Sequence, residues 1–372
     1  MNMMKKNPTA VSKVKRIIGA AGRLIFPDIW LVSDRPSAGG DNGEALFLYL
    51  SGQRKHVYFV LDKKSPDFER LKKYGNVLAY RSLKYYLFCC VARVDISSHR
   101  EKRCPDSLDV FLQHGITMND MHVFFNALYH DRLYITSSAE EEYQKFLGEA
   151  YEIPKDHLWL TGPARFDLLE NRDDKLICIC FTWRTSFDVS SGTHEARREG
   201  FKNSDYFKAL HKITHDQKLK KELTLRGYRL CVRLHPMIKD LEDVLELDED
   251  VMLYDRSYRD MFAESSLLVT DYSSIVYDFS YLEKPVIYYQ FDHGAIFENH
   301  SYERGDYDYV RDGFGPVVEE YDTLCQQVID YVHKNCQMEE KYRERVSEFF
   351  TFRDGKNRER IYRHILQQLG ES

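Results

Sequence analysis

Apolar runs rich in β-branched and aromatic residues alternate with helically spaced patterns through most of the chain. The runs Ile29–Ser33, Val57–Leu61, Val94–Ser97, Val110–Gln113, Arg132–Thr136 and Leu158–Thr161 predict one series of strands. Leu176–Phe181, Tyr228–Leu234, Val251–Tyr254, Leu267–Thr270 and Pro285–Tyr289 predict a second. Helices are predicted between them at Asn42–Ser51, Ser138–Leu147, Asp205–Leu225 and Ser273–Tyr281. Strands separated by helices imply parallel sheets joined by right-handed crossovers. The charged stretch Glu170–Lys175 divides the two series. The pattern therefore predicts an α/β protein of two Rossmann-like domains, residues 27–172 and 173–372, with the last helix able to pack back on the first. Ligands of open α/β sheets bind beyond the carboxyl ends of the strands, so chemistry is sought there.

Residues 1–26 read differently. Val14, Ile17, Ile18, Ala21 and Ile25 recur at helical spacing, with Lys13, Arg16 and Arg23 on another face. The segment carries six basic residues and no acid, whereas the 372-residue chain has a net charge of −6. An N-terminal basic amphipathic helix is predicted, suited to an anionic membrane surface or to docking on its own domain. No apolar run approaches the roughly 20 residues needed to span a bilayer, and no signal-peptide pattern occurs. The eight cysteines form no CxxC pair and no zinc spacing. Cys178, Cys180 and Cys231 lie in apolar strand-like runs, which predicts small buried hydrophobes, reduced thiols and a cytoplasmic location. The acidic balance argues against a nucleic-acid partner.

Polar clusters follow several predicted strands. His114 sits in Gln113-His114-Gly115 and His235 in Arg233-Leu234-His235-Pro236. Either imidazole could move a proton or meet a phosphate, and either could merely cap a turn. Asp271-Tyr272-Ser273-Ser274 joins a buried strand to a helix, a place where free backbone N–H groups and hydroxyls suit an anion. Ordinary capping by Asp and Ser explains the same residues. Thr182 and Arg184 end the first strand of the second series and are candidate phosphate or acceptor contacts; Arg184 serves equally well as an ion-pair partner. No Walker-type loop, GxSxG elbow or HExxH motif occurs.

Taken in order, the segments resemble the CDP-glycerol glycerophosphotransferase family of teichoic acid and capsule polymer synthesis, from about Ile29 to Leu366. They are Trp30-Leu-Val-Ser-Asp34-Arg35-Pro36 with Asp41-Asn42-Gly43 and Phe47; Gln113-His114-Gly115; Thr161-Gly162-Pro163-Ala164-Arg165-Phe166-Asp167; and Phe181-Thr182-Trp183-Arg184. Arg233-Leu234-His235-Pro236, Asp271-Tyr272-Ser273-Ser274 with Asp278, Arg304-Gly305, Gly315-Pro316-Val317 and Asp354-Gly355-Lys356 complete the series. The resemblance implies a GT-B type fold, two Rossmann-like domains facing across a cleft, with the nucleotide donor held by the C-terminal one and the acceptor by the N-terminal one. It implies no metal and no cofactor. It implies His114 and His235 as catalytic histidines, with Asp271, Ser273, Ser274 and Arg304 binding the donor, joined by Thr182 and Arg184.

The implied activity moves glycerol phosphate from CDP-glycerol to a lipid-linked polymer on the inner face of the cell membrane, releasing CMP. One departure bears on the substrates. Where the family commonly has Thr-Pro-Leu-Lys after His-Gly, this chain has Ile116-Thr117-Met118-Asn119. CDP-ribitol is therefore the alternative donor. A sugar-nucleotide glycosyltransferase or 2-epimerase of the same architecture, and a non-catalytic assembly scaffold, are the rival classes.

Overall fold

The computed structural model describes residues 19, 22–26, 28–99, 103–116, 118–187, 192–294, 296 and 307–371. The chain divides into two compact units. The first takes the described residues up to Ile116, His122–Leu168 and the chain from Thr351; the second is chiefly Leu169–Phe350.

The first unit holds a seven-stranded sheet of β1 (Trp30–Ser33), β2 (Val57–Leu61), β3 (Asn76–Ala79), β4 (Val94–Ser97), β5 (Leu108–Phe111), β6 (Leu133–Ser137) and β7 (Leu158–Leu160). The order is β3-β2-β1-β4-β5-β6-β7. Every pairing is parallel. The order reverses direction between β1 and β4, which marks the switch point of a doubly wound sheet. β3 has no counterpart among the predicted strands; Asn76–Ala79 is a short edge strand, too brief to show a period.

The second unit is built from β8 (Leu176–Ile179), β9 (Arg229–Val232), β10 (Met252–Leu253), β11 (Ser265–Thr270), β12 (Val286–Tyr289) and β13 (Val317–Val318). The order is β10-β9-β8-β11-β12-β13, all parallel, with the switch point between β8 and β11. Cys178 and Cys231 are register partners on β8 and β9 and are fully buried, and all eight cysteines are free thiols.

The predicted helix Asp205–Leu225 is two helices, Asp205–Thr214 and Gln217–Leu225. Asp216 breaks it: its carboxylate accepts from Lys218 N and Leu219 N at 2.9 Å, capping the second helix. The predicted N-terminal amphipathic helix lies outside the described residues except at residues 19 and 22–26. No described helix is long and apolar enough to cross a membrane.

The last helix, Asn357–Leu369, packs in the first unit against the helix Asn42–Leu50. Asp167 holds its start, accepting from Asn357 N at 3.0 Å and Arg358 N at 2.9 Å. Buried Asn357 in turn donates to Pro163 O at 2.9 Å. Farther along the same helix, His364 stacks on Trp159 with ring centroids 5.1 Å apart and an interplanar angle of 11°. Tyr134 extends the stack 4.8 Å from Trp159, and His157 lies 4.5 Å beyond Tyr134. Burial lowers the His364 pKa below its ordinary value. The unfolded chain therefore takes up this proton first, and stability attributable to His364 is lost as pH falls from about 6.5. Denaturant titrations at pH 7.5 and pH 5 are expected to show a smaller acid loss for His364→Phe than for the unaltered protein.

Candidate functional site

In the first unit the chain leaving β1 reaches Asp34, which is almost fully buried. Its carboxylate accepts from Asp41 N (3.1 Å), Gly43 N (2.8 Å), Glu44 N (3.0 Å) and the Ser98 hydroxyl (2.5 Å). Three of these donors belong to the start of the helix Asn42–Leu50, whose first turn has no internal acceptors. Gly43 is required because a Cβ there would lie 2.3 Å from Ser33 O and 2.5 Å from the Asp34 carboxylate. Burial and the neighbouring Asp41 carboxylate raise the Asp34 pKa to about 7, against the pull of these hydrogen bonds. At the switch point of the first sheet, the N–H groups of the helix start are thus taken by the protein's own carboxyl group.

His114 follows β5. Its neighbour Gln113 adopts a left-handed backbone, φ 54°, a conformation that needs support in a non-glycine residue. Asn42 Nδ2 donates to Gln113 O at 3.0 Å, and Gln113 Nε2 donates to Thr136 O at 2.6 Å. Arg165 donates to His114 O at 3.0 Å and to Asp41 Oδ1 at 2.9 Å. The other Asp41 oxygen lies 3.5 Å from His114 Nδ1, and the imidazole is 58% exposed. Burial opposes ionisation of Asp41, but Arg165 and His114 outweigh it and hold the carboxyl below its usual range.

In the second unit the chain ends of β8 and β11 converge at the switch point. Asp271 follows β11 and is fully buried. It accepts from Thr182 N (2.7 Å), Thr182 Oγ1 (2.8 Å) and Tyr272 N (2.7 Å), and pairs with Arg184 at 2.9 Å. Arg184 also pairs with Asp292 at 2.8 Å, and Asp292 accepts from the Tyr272 hydroxyl at 3.0 Å. Burial would lower the Arg184 pKa; Asp271 and Asp292 reverse this and raise it.

Ser273 and Ser274 come next. Ser273 Oγ accepts from Ile275 N at 3.4 Å, and exposed Ser274 occupies the cap position of the helix Ile275–Tyr281. His235 follows β9 and begins the 3₁₀ helix Pro236–Leu245, its Nδ1 accepting from Met237 N at 3.2 Å. Its ring stacks on Trp183, with centroids 5.9 Å apart and an interplanar angle of 20°. A neutral ring that accepts at Nδ1 carries its hydrogen on Nε2.

The structure therefore gathers Thr182, Arg184, Asp271 and Ser273 around one turn of the second unit, and puts His114 in the first. Arg304 lies outside the described residues. Asp41, Arg165 and Asp34 were absent from the candidates drawn from the sequence, although all three sit in the segments quoted there; nothing local marked them as partners of His114. Asp292, beyond β12, carried no signal beyond being an acid after a strand. Among the described residues no group of three or more His, Cys, Asp or Glu side chains is arranged to hold a metal ion.

Residues 26–367 match the family model described as CDP-Glycerol:Poly(glycerophosphate) glycerophosphotransferase. The chain is 33% identical over 366 residues to the minor teichoic acid biosynthesis protein GgaB of Bacillus subtilis, covering 91% of this chain and 40% of that protein. It is 25% identical over 202 residues to a teichoic acid poly(glycerol phosphate) polymerase of Bacillus spizizenii, covering 53% and 45%. It thus spans less than half the length of either relative. A structure of the wall teichoic acid polymerase TagF, soaked with CDPG, superposes with a TM-score of 0.69 at 18% identity, covering 97% of this chain and 100% of the other. A UDP complex of MnaA from S. aureus gives 0.56 at 14%, covering 93% and 97%. At these identities the structural matches speak for the fold alone.

Removing the Asp271 carboxylate strands buried donors and the Arg184 charge together. Asp271→Ala is expected to cost about 3–5 kcal/mol, read as a lowered urea midpoint, while Thr182→Val costs about 1 kcal/mol.

Proposed function

The chain belongs to the CDP-glycerol:poly(glycerophosphate) glycerophosphotransferase family, and from that premise we propose that it transfers glycerol phosphate from CDP-glycerol to a hydroxyl of a lipid-linked, teichoic-acid-like or capsular polymer. The observation that carries this reading is His114, exposed at the end of a central strand and backed by a carboxylate. A general base of this kind takes the proton of the acceptor hydroxyl near neutral pH. The oxygen then bonds to the phosphorus that carries the glycerol, the phosphoanhydride bond breaks, and CMP leaves.

Negative charge grows on the departing phosphate, and positioned donors lower the barrier by meeting it. We assign that work to His235, to Ser273 and Ser274, and to Arg304. Asp271 and Arg184 act by holding the turn and Thr182 in place, because the carboxylate is already occupied by four donors and the guanidinium by two acids. An Asp271 so engaged is a poor ligand for a divalent ion, which supports a reaction independent of metal. Ribitol phosphate is the second reading of the transferred group; similarity to the teichoic acid ribitol-phosphate polymerase TarL of Staphylococcus aureus, 26% identical over 138 residues, favours it.

Purified protein incubated with CDP-glycerol or CDP-ribitol and a lipid-linked acceptor tests the reading by mass spectrometry of the product. Phosphoalditol addition is expected, with its rate kept in EDTA. His114→Ala is expected to lose at least about 10²-fold in rate and to retain donor binding. His235→Ala and Ser273→Ala lose donor affinity as well, measured by calorimetry. Product formed from donor alone, without acceptor, would move the protein to the epimerase class.

The same reading places the protein on the inner membrane face. Leu24 and Ile25 are 87% and 73% exposed, and Leu83, Tyr86 and Leu87 form an exposed apolar stripe on the helix Leu83–Val91. Phe26 packs on Phe88 of that helix, with centroids 5.9 Å apart, so the two apolar surfaces adjoin. The basic residues of 1–26 add attraction to anionic lipid. Flotation with anionic vesicles is expected to fall when residues 1–26 are deleted, and to fall further with Leu83→Glu and Leu87→Glu. Unchanged flotation would assign these side chains to another role.

A further inference from the structure

Asp41 has three other tasks that fix where its free oxygen points. Its Oδ1 accepts from Asn42 N at 2.8 Å, capping the helix Asn42–Leu50, and from Arg165 at 2.9 Å. Its own N–H is held by buried Asp34 at 3.1 Å. The remaining oxygen, Oδ2, faces His114 Nδ1 at 3.5 Å.

The backbone on the histidine side is held from the same elements. Asn42, the residue after Asp41, binds Gln113 O through its side-chain amide and accepts from Arg165 N at 2.9 Å. Arg165 donates to both Asp41 and His114 O. Two residues adjacent in sequence at a helix start, and one arginine, therefore clamp the carbonyls on both sides of the His114 N–H and the carboxylate that faces its ring. Nothing about helix stability asks Asp41 Oδ2 to face an exposed imidazole, since the cap is made by Oδ1.

We propose that Asp41 is a positioning residue for His114: its carboxylate accepts a hydrogen bond from Nδ1–H, fixes the tautomer and leaves Nε2 as the nitrogen that takes the acceptor's proton. An ionised carboxylate can only accept, so the ring must place a hydrogen on Nδ1. The imidazolium formed when Nε2 takes the proton is then stabilised by the same carboxylate, as in acid–histidine pairs generally. Separations near 3.5 Å are common for such pairs before substrate binds, and shorten in the reactive complex. The charged groups around the ring are Asp41, with Arg165 and Asp34 behind it. Arg165 keeps Asp41 ionised, and Asp34 fixes its backbone. The inference rests on His114 being the base of the proposed transfer, and its test separates the two.

Asp41→Asn keeps an acceptor oxygen for the helix cap and removes the charge. Its kcat is expected to fall about 10–10²-fold with the donor KM changed less than about threefold. Asp41→Glu recovers part of the rate; a residue acting through fold stability alone would lower the urea midpoint and leave the His114 tautomer in place. Independently of activity, ¹⁵N NMR of histidine-labelled protein, with His114→Asn to assign the signal, is expected to show the Nδ1–H tautomer, and Asp41→Asn is expected to weaken that preference.

An Nε2–H tautomer in the unaltered protein overturns the proposal. So does an Asp41→Asn enzyme within about twofold of full rate. If His114→Asn itself transfers at full rate, the base assignment fails, and the NMR result still decides whether Asp41 sets the tautomer.

Discussion

The structure turns on a constraint at the carboxyl ends of its central strands: backbone N–H groups buried there must find acceptors. Asp34 answers it in the first unit and Asp271 in the second. An unpaired buried donor costs about 1–3 kcal/mol, and each of these acids satisfies several. One short side chain thereby fixes a strand end, a turn and a neighbouring segment at once. In each unit the candidate residues stand beside that unit's own anchor.

The two anchors have opposite consequences for ligands. Asp34 sits where the helix start of a doubly wound sheet would otherwise meet a phosphate, and its carboxyl takes the N–H groups of Asp41, Gly43 and Glu44. Those N–H groups are already taken, and the His114–Asp41 pair stands at a neighbouring strand end. Asp271 instead reaches back across the second switch point to Thr182, and leaves Ser273 and Ser274 beyond it at the surface end of the turn. Charge matching completes the arrangement. Arg184 lies between Asp271 and Asp292 beneath the rings of Tyr206 and Phe291, so its positive charge is spent inside the protein.

Several of the segments that carried the family resemblance prove to be one structural assembly. Asp167 and Arg165, from Thr161–Asp167, hold the last helix and the Asp41–His114 pair respectively. Asp354 pairs with Arg360 of that same helix. These segments are distant in sequence and adjacent in the first unit.

Sequence by itself determined the α/β class, the two series of strands and the strand ends at which His114, His235 and Asp271 stand, because burial on both faces writes a parallel strand as a continuous apolar run. It missed β3 and β13, which are edge strands of four and two residues, too short for a period to register. It also merged two helices across Asp216, since a cap and a solvated acid look alike in a polar stretch. Tertiary structure alone decided that Asp41 faces His114, that Arg165 joins them, and that Asp271 and Arg184 neutralise one another. Those pairings span up to 124 residues of chain, and the direction of a side chain across such a distance is set by the strand order and the turn geometry, which no local pattern of residues encodes.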